Sequence, residues 1–234
     1  MRGRKVDRVF LITVFTLIIF GVAIFISASL GILNRNKDLF FSVLFSQLAL
    51  GLGGGLVGMY LAMKIEYKFW RRYAFLIFLG CVLLTAAVFI PGVGWGHQGA
   101  QRWIKIGSFS FQPVEFLKFG FVIYFAAWLS WAKNRVQDFR FGILPFSVLL
   151  AIIALVLFQQ PDTKSFILIS LTGISMLFIS GVSIRYILGI GGGAILVLVM
   201  LVASKPYLQE RVKTFLDPSS DPRGSSYQIQ QSLI

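Results

Sequence analysis

Residues Val9 to Leu33 read VFLITVFTLIIFGVAIFISASLGIL, a stretch of 25 residues without a charged side chain. A helix needs about 20 apolar residues to cross the hydrocarbon core of a bilayer, so this stretch is long enough to span a membrane. Basic residues precede it, and Ser27-Ala28-Ser29 resembles the cleavage site of a secretory signal peptide. The apolar core of a signal peptide is only about 7 to 15 residues long, and further apolar stretches follow. We therefore interpret residues 9–33 as a membrane helix that is retained.

The composition of the chain points to the same class of protein. Hydrophobic residues make up 57% of its 234 residues, charged residues make up 13%, and the mean hydropathy is +0.81. The hydrophobic fraction is higher and the charged fraction lower than in a typical water-soluble domain, so the sequence predicts an all-α, polytopic helix bundle in a membrane. We expect about seven membrane helices, at Val9–Leu33, Leu39–Met63, Tyr73–Ile90, Pro113–Ala132, Phe141–Phe158, Phe166–Ile184 and Tyr186–Ser204.

The distribution of lysine and arginine predicts how these helices are oriented. A cytoplasmic N-terminus would place twelve basic residues inside, namely Arg2, Arg4, Lys5, Arg8, Lys64, Lys68, Arg71, Arg72, Lys133, Arg135, Arg140 and Arg185. Only five would lie outside before residue 204, namely Arg35, Lys37, Arg102, Lys105 and Lys164. This bias favours a cytoplasmic N-terminus and long outer loops at 91–112 and 205–234. The net charge of +13 is divided among short loops and does not gather on one face, which argues against a nucleic-acid partner.

Two charges stand in the fourth predicted span. Glu115 and Lys118 follow the polar, aromatic-rich segment that begins at Gly99, and Pro113 suits the first turn of the helix. A charge near the bilayer centre costs about 2.5 to 3.5 kcal/mol, so the pair needs an explanation. It is either an interfacial ion pair with a snorkelling lysine or a polar wall of a cavity that opens to the outside. Gln112 is expected to lend its side-chain oxygen to the first amides of this helix.

Other sequence features have mainly structural explanations. The glycines at 51–58 and 189–193 have the small-residue spacing of closely packed membrane helices. Cys81 is the only cysteine, so no disulfide can form within the chain, and His97 is the only histidine. Gln160-Pro161-Asp162 predicts a turn with Asp162 as the N-cap of the next helix. No phosphate-binding loop, dinucleotide fingerprint or zinc spacing is present, so we predict no metal ligands.

Five motifs occur together in one order along the whole chain. They are Ser27-Ala28-Ser29, Gly99-Ala-Gln-Arg-Trp103, Phe109-Ser-Phe-Gln-Pro-Val-Glu115 with Lys118, Gln160-Pro-Asp162, and Leu216-Asp-Pro218 followed by Asp221-Pro222, Gly224, Tyr227-Gln228 and Gln231-Ser232. In this order they resemble the SEDS family (shape, elongation, division and sporulation), whose members include FtsW, RodA and SpoVE. The resemblance favours the FtsW-like branch, which serves cell division, over the branch that serves elongation.

The resemblance implies a peptidoglycan glycosyltransferase. Such an enzyme would polymerise lipid II at the outer face of the bacterial cytoplasmic membrane, in complex with a class B penicillin-binding protein. The chain would then be a multi-pass protein surrounded by membrane lipids. Whether a divalent metal such as magnesium or manganese assists is left open. Two other functions remain as alternatives, a lipid II flippase and a non-catalytic scaffold for the penicillin-binding protein.

The resemblance also assigns roles to residues. The substrate-facing residues it implies are Arg102, Trp103, Gln112, Glu115, Lys118, Asp162, Asp217 and Asp221. Family members have about ten membrane helices, and their catalytic aspartate would follow Ile234, so we assign no catalytic residue in this chain. Residues 1–234 are accordingly expected to form one SEDS-type membrane domain that is incomplete at its C-terminus. Lys164 departs from the family pattern, in which a small residue follows the Asp162 turn.

Overall fold

The computed structural model describes residues 7–33, 37–97, 100–106, 109–204 and 206–216. Most of these residues are helical, as the composition predicts. The chain divides into two compact units, one formed by residues 1–73 with 104–111 and the other by residues 74–103 with 112–234. The two units are described separately below.

The first unit contains the N-terminal helices. These are α1 (Arg8–Leu33), α2 (Lys37–Phe45) and α3 (Gly54–Lys64), followed by the beginning of α4 (Tyr67–Ala86). The segment Ser46–Gly53 between α2 and α3 is wound as a π-helix. Glycine is a poor helix former, and a wider turn is tolerated where Gly51 and Gly53 interrupt the apolar run. The second predicted span, Leu39–Met63, is therefore a continuous helical stretch whose central turns are π-helical.

The second unit contains the longer helical array. The end of α4 passes into a short 3-10 turn at Ala87–Phe89, and a second 3-10 segment, Lys133–Gln137, follows α5. The helices of this unit after α4 are α5 (Pro113–Ala132), α6 (Ile143–Gln159), α7 (Thr163–Ile179), α8 (Ile184–Ser204) and α9 (Pro206–Leu216).

Seven apolar helical stretches coincide with the predicted spans. Among the described residues, four are long and apolar enough to cross a membrane, at Arg8–Leu30, Val43–Lys64, Tyr67–Phe89 and Pro113–Gln137. Three are shorter apolar helices, at Ile143–Gln159, Thr163–Ile179 and Ile184–Leu196. The predicted all-α class is confirmed, whereas a count of seven complete spans stays a prediction.

The two predicted outer loops contain regular structure. Strands β1 (Gly94–His97), β2 (Ala100–Ile106) and β3 (Phe109–Phe111) form a small sheet in that order within residues 91–112. β2 and β3 are antiparallel, with Ile104 opposite Phe111 and Ile106 opposite Phe109. Helix α9 occupies the described beginning of the second loop, where its Leu208 is buried and its Phe215 is exposed. The alternating polar and apolar residues of β2 favour a strand with one covered face.

Aromatic side chains fill the core of the second unit. Phe121 and Phe125 of α5 and Phe146 of α6 are fully buried. The ring centroids of Phe121 and Phe125 lie 5.5 Å apart, and those of Phe125 and Phe146 lie 5.4 Å apart. Such spacings suit offset or edge-directed contacts between rings, which add to the packing energy of the buried area. The aromatic residues therefore fix how α5 and α6 pack in this unit.

Two glycines permit the closest helix contacts in this unit, and neither belongs to the glycine clusters singled out in the sequence. A Cβ at Gly120 would lie 2.9 Å from the sulfur of Cys81, and one at Gly173 would lie 2.2 Å from Cε2 of Phe146. The described chain brings no close neighbour to the glycines at 189–193, because a Cβ at Gly189, Gly191, Gly192 or Gly193 would meet no atom within 4 Å, so their close packing stays a prediction. Gly54, Gly55 and Gly58 have the same open surroundings.

The packing at Gly173 yields a testable prediction. Gly173→Ala would press a methyl group into the rings of Phe146 and Phe121, which are both buried and cannot swing aside. We expect destabilisation of about 1 to 3 kcal/mol, measured as a lower thermal unfolding midpoint in detergent. Gly80→Ala is the matched control, because a Cβ there meets nothing within 4 Å. Equal midpoints for the two variants would contradict this packing.

Candidate functional site

A cluster of polar side chains lies at one end of the second unit, where α4 and α6 end and α5 and α7 begin. Its members are Thr85, Arg102, Gln112, Gln160, Asp162 and Ser165, and we call this cluster the polar junction. It joins residues up to 75 positions apart in sequence, by hydrogen bonds. Four of the six are buried, which is costly for polar groups unless each finds a partner.

Gln160 occupies the buried centre of the polar junction. Only 1% of its surface is exposed, and its Nε2 donates a hydrogen bond of 2.7 Å to the backbone carbonyl of Thr85. The hydroxyl of Thr85 in turn donates to the carbonyl of Cys81 one turn earlier in α4. The carbonyl of Thr85 near the end of α4 is therefore satisfied by a side chain from the α6–α7 turn.

Arg102 holds the same turn from the β2 side. Its Nε donates to the carbonyl of Gln160 at 2.8 Å, and its Nη2 donates to the carbonyl of Pro161. These carbonyls lie at the C-terminal end of α6, where the helix dipole favours a cation. Two donors of this guanidinium are thus already bonded to backbone, and a role for Arg102 in binding substrate stays a prediction.

Asp162 caps α7, as the sequence predicts. Its Oδ1 accepts from the backbone N–H of Ser165 at 3.3 Å, and its Oδ2 accepts from the hydroxyl of Ser165 at 2.7 Å. Gln112 donates through Nε2 to the same Oδ2 at 3.3 Å. The prediction that Gln112 caps its own helix is wrong: its side chain forms no cap hydrogen bond, and its amide group is turned towards the buried carboxyl of Asp162. Lys164 is exposed and does not prevent the turn from forming.

Glu115 and Lys118 form the ion pair that their spacing indicates. Lys118 Nζ lies 2.7 Å from Glu115 Oε2, and the side chains are 27% and 54% exposed, respectively. A cavity of about 150 Å³ lies beside Lys118 and is lined by Phe121, Leu168 and Thr172 among others. A half-exposed pair of this kind contributes no more than about 1 kcal/mol to stability. The ion pair exists and Lys118 also borders a cavity, whereas the opening of that cavity to the outside of a membrane stays a prediction.

The remaining predicted site residues are not joined to the polar junction by any hydrogen bond that the described residues show. Trp103 lies on β2 with its side chain exposed. Asp217 and Asp221 lie outside the described residues. No three His, Cys, Asp or Glu side chains of the described chain gather in a way that could hold a metal ion.

The sequence analysis missed three members of the polar junction as site residues. Gln160, Thr85 and Ser165 are buried, yet each belongs to a residue type that is common on surfaces. The sequence did contain a signal for Gln160, which ends an apolar helix and precedes a proline. If such a turn is buried, no water reaches the amide, so the amide must bond to another group of the protein. Nothing in the sequence distinguishes Thr85 from the other hydroxyl residues of the apolar helices.

The fold and this junction define a polytopic membrane protein whose helices are tied together at one end by buried polar groups. A model of the FtsW/RodA/SpoVE family of cell cycle proteins matches residues 7–234. The chain belongs to this family.

Curated relatives agree with that assignment. The chain is 37% identical over 231 residues to the probable peptidoglycan glycosyltransferase FtsW of Geobacter sulfurreducens, covering 98% of this chain and 61% of the relative. It is 31% identical over 234 residues to stage V sporulation protein E of Bacillus subtilis, covering 100% of this chain and 64% of the relative. The chain thus spans about three fifths of the length of these relatives.

Solved structures share the fold. A chain from a structure titled as the coordination of polymerization and crosslinking by a peptidoglycan synthase complex superposes with a TM-score of 0.69 at 27% identity. That match covers 92% of this chain and 62% of the other. The rod shape determining protein RodA of Thermus thermophilus matches with a TM-score of 0.56 at 23% identity, over 77% of this chain and 57% of the other, which supports the fold alone.

The buried side-chain amide of Gln160 leads to a testable prediction about the stability of the polar junction. Gln160→Leu keeps most of the side-chain volume but leaves the carbonyl of Thr85 without its donor. We expect a loss of about 1 to 3 kcal/mol in the free energy of unfolding, measured by thermal unfolding in detergent. The neighbouring Gln159 is exposed, so Gln159→Leu should change the midpoint little. If both variants unfold at the wild-type temperature, Gln160 does not hold the junction.

Proposed function

We propose that this chain serves in a peptidoglycan glycosyltransferase that polymerises lipid II. The family assignment and the names of its relatives support this function. The observation within the chain that carries the proposal is Lys118, whose partly exposed ammonium borders a cavity close to the start of α5. An intramembrane lysine that faces a cavity is a functional candidate by default.

The proposed transfer reaction calls for a cation close to the leaving pyrophosphate. In the transfer step, the acceptor sugar hydroxyl forms a bond to the anomeric carbon of the donor sugar, and a base takes the hydroxyl proton. The bond between that carbon and the pyrophosphate oxygen breaks, and its electron pair leaves with the pyrophosphate. A preorganised cation stabilises this developing charge, and we assign that role to Lys118, with Glu115 as its positioning partner.

The proposal also includes the side of the membrane on which the site lies and the partner protein. We place the polar junction and Lys118 at the outer face of the cytoplasmic membrane, with the N-terminus in the cytoplasm, on the basis of the lysine and arginine distribution. A class B penicillin-binding protein is the expected partner, and the match to a chain of a peptidoglycan synthase complex supports it. Arg102, Gln112 and Asp162 would then hold the rim of the lipid II site in place, and Trp103 would present an exposed ring there.

Replacement of Lys118 tests this function. The assay uses the protein encoded by the complete gene, purified with its class B penicillin-binding protein and supplied with fluorescent lipid II. Lys118→Ala should lower polymer yield about 100-fold, the effect of removing one stabilising group from a transition state. Lys118→Arg retains the cation and should recover part of the yield.

Lys164→Ala is the matched control for that assay. Lys164 is an exposed lysine at the same end of the second unit, in the first turn of α7, and its loss should leave polymer yield unchanged. Normal yield from Lys118→Ala would refute its assigned role. If the wild-type complex makes no polymer but moves labelled lipid II between liposome leaflets, the flippase function is correct. If it does neither, yet still stimulates its partner, the scaffold function is correct.

A further inference from the structure

A second, larger cavity lies at the other end of the second unit, where α5 passes into the 3-10 segment Lys133–Gln137 and α7 ends. Its volume is about 490 Å³, within the range of ligand pockets. Four polar residues line it, namely Ser130, Lys133, Asn134 and Ser180. Its remaining walls are apolar and come from Ala126, Leu129, Val136, Met176 and Ile179. The cavity is therefore amphipathic.

Lys133 supplies a cation that the described chain does not neutralise. Its side chain is exposed, and no carboxylate pairs with it among the residues that the structure describes. The nearest acidic residue in sequence is Asp138, whose Oδ1 accepts from the backbone N–H of Arg140. The Lys133 ammonium thus remains available to an anion from outside the chain.

Helices α5 and α7 both end at this cavity, and the dipoles at their C-termini repel an anion only weakly. The C-termini of α5 and α7 carry partial negative charge, which would repel a phosphate. However, the carbonyls of Met176, Leu177 and Phe178 accept hydrogen bonds from the N–H groups of Ser180, Val182 and Gly181, respectively. The Lys133 N–H likewise bonds to the carbonyl of Leu129. Since these carbonyls are satisfied, the full charge of Lys133 outweighs the residual field of the helix ends.

The rest of this end of the second unit is also basic. Besides Lys133, the α5–α6 connection carries Arg135 and Arg140, and α8 begins next to Arg185, against the single acidic residue Asp138. Basic residues at the membrane surface attract anionic lipids, and basic pockets between membrane helices bind lipid head groups. The apolar side of the cavity extends to Ile179, which is 82% exposed at the end of the apolar helix Thr163–Ile179.

We propose that this cavity binds an anionic phospholipid. The phosphate lies against Lys133, the hydroxyl of Ser130 and the amide of Asn134 donate to its oxygens, and the acyl chains run along Ala126, Met176 and Ile179. The Ser180 hydroxyl already donates to the carbonyl of Met176, so towards the head group it can only accept. A zwitterionic lipid fits less well, since its ammonium would approach Lys133. Free phosphate lacks the chains that the apolar walls would cover. This site is separate from Lys118 and does not depend on the glycosyltransferase proposal.

Native mass spectrometry tests the proposal directly. The purified full-length protein, stripped of lipid in detergent, is titrated with phosphatidylglycerol, with phosphatidylcholine of the same chains and with inorganic phosphate. We expect one phosphatidylglycerol to bind in preference to the other two. Lys133→Gln should weaken this binding about five-fold, the contribution of one lysine near a phosphate. Arg140→Gln removes a cation from the same connection outside the cavity lining and should reduce binding by less than two-fold.

A second variant addresses the shape of the site. Ala126→Trp would fill the apolar side of the cavity without changing any charge, and it should reduce phosphatidylglycerol binding as strongly as Lys133→Gln does. The proposal is overturned if phosphatidylcholine binds equally well, because the cavity would then be only an apolar groove. It is also overturned if inorganic phosphate competes fully, or if Lys133→Gln and Arg140→Gln weaken binding to the same extent.

Discussion

The hydrogen bond from the side-chain amide of Gln160 to the carbonyl of Thr85 joins two helices whose sequences are far apart. In a membrane no water replaces such a bond, so the buried amide and carbonyl must satisfy each other. The backbone carbonyl of Gln160 accepts a hydrogen bond from Arg102, and this bond connects β2 to the α6–α7 turn. Two residues later, Asp162 caps α7 and binds Gln112, the residue before α5. The start of α5, and with it the position of Lys118, therefore depends on this one turn.

The two ends of the second unit use their polar groups in opposite ways. At the junction end, Gln160 and Asp162 are almost fully buried, and they form hydrogen bonds with other groups of the chain. At the other end, Lys133 and Arg140 are exposed, and the Asp138 carboxylate accepts a hydrogen bond from the backbone N–H of Arg140. Buried, satisfied groups make a rigid rim, whereas exposed cations attract ligands of opposite charge. The rigid polar junction is therefore consistent with the proposed reaction, which needs fixed geometry. The exposed cations at the other end are consistent with the proposed binding of an anionic lipid.

The sequence predicted what depends on local spacing. Helical periodicity brings Glu115 and Lys118 together at positions i and i+3, and an aspartate before an apolar run caps the helix, as Asp162 does. What depends on partners from distant parts of the chain was not predictable. Gln112 satisfies the rules for a local cap but bonds to a carboxylate 50 residues away. Gly173 carries no local signal, because its role is set by the ring of Phe146 on another helix.

The ion pair of Lys118 is compatible with the binding of a more highly charged anion. Glu115 is more than half exposed, so water screens its attraction for the ammonium and the pair is weak. Lys118 itself is only about a quarter exposed and borders a cavity, where a ligand would displace water and meet a lower dielectric. A pyrophosphate carries more charge and more acceptor oxygens than one carboxylate. On the proposed function, the ammonium of Lys118 would therefore bind the pyrophosphate while its weak pair with Glu115 keeps the lysine beside the cavity.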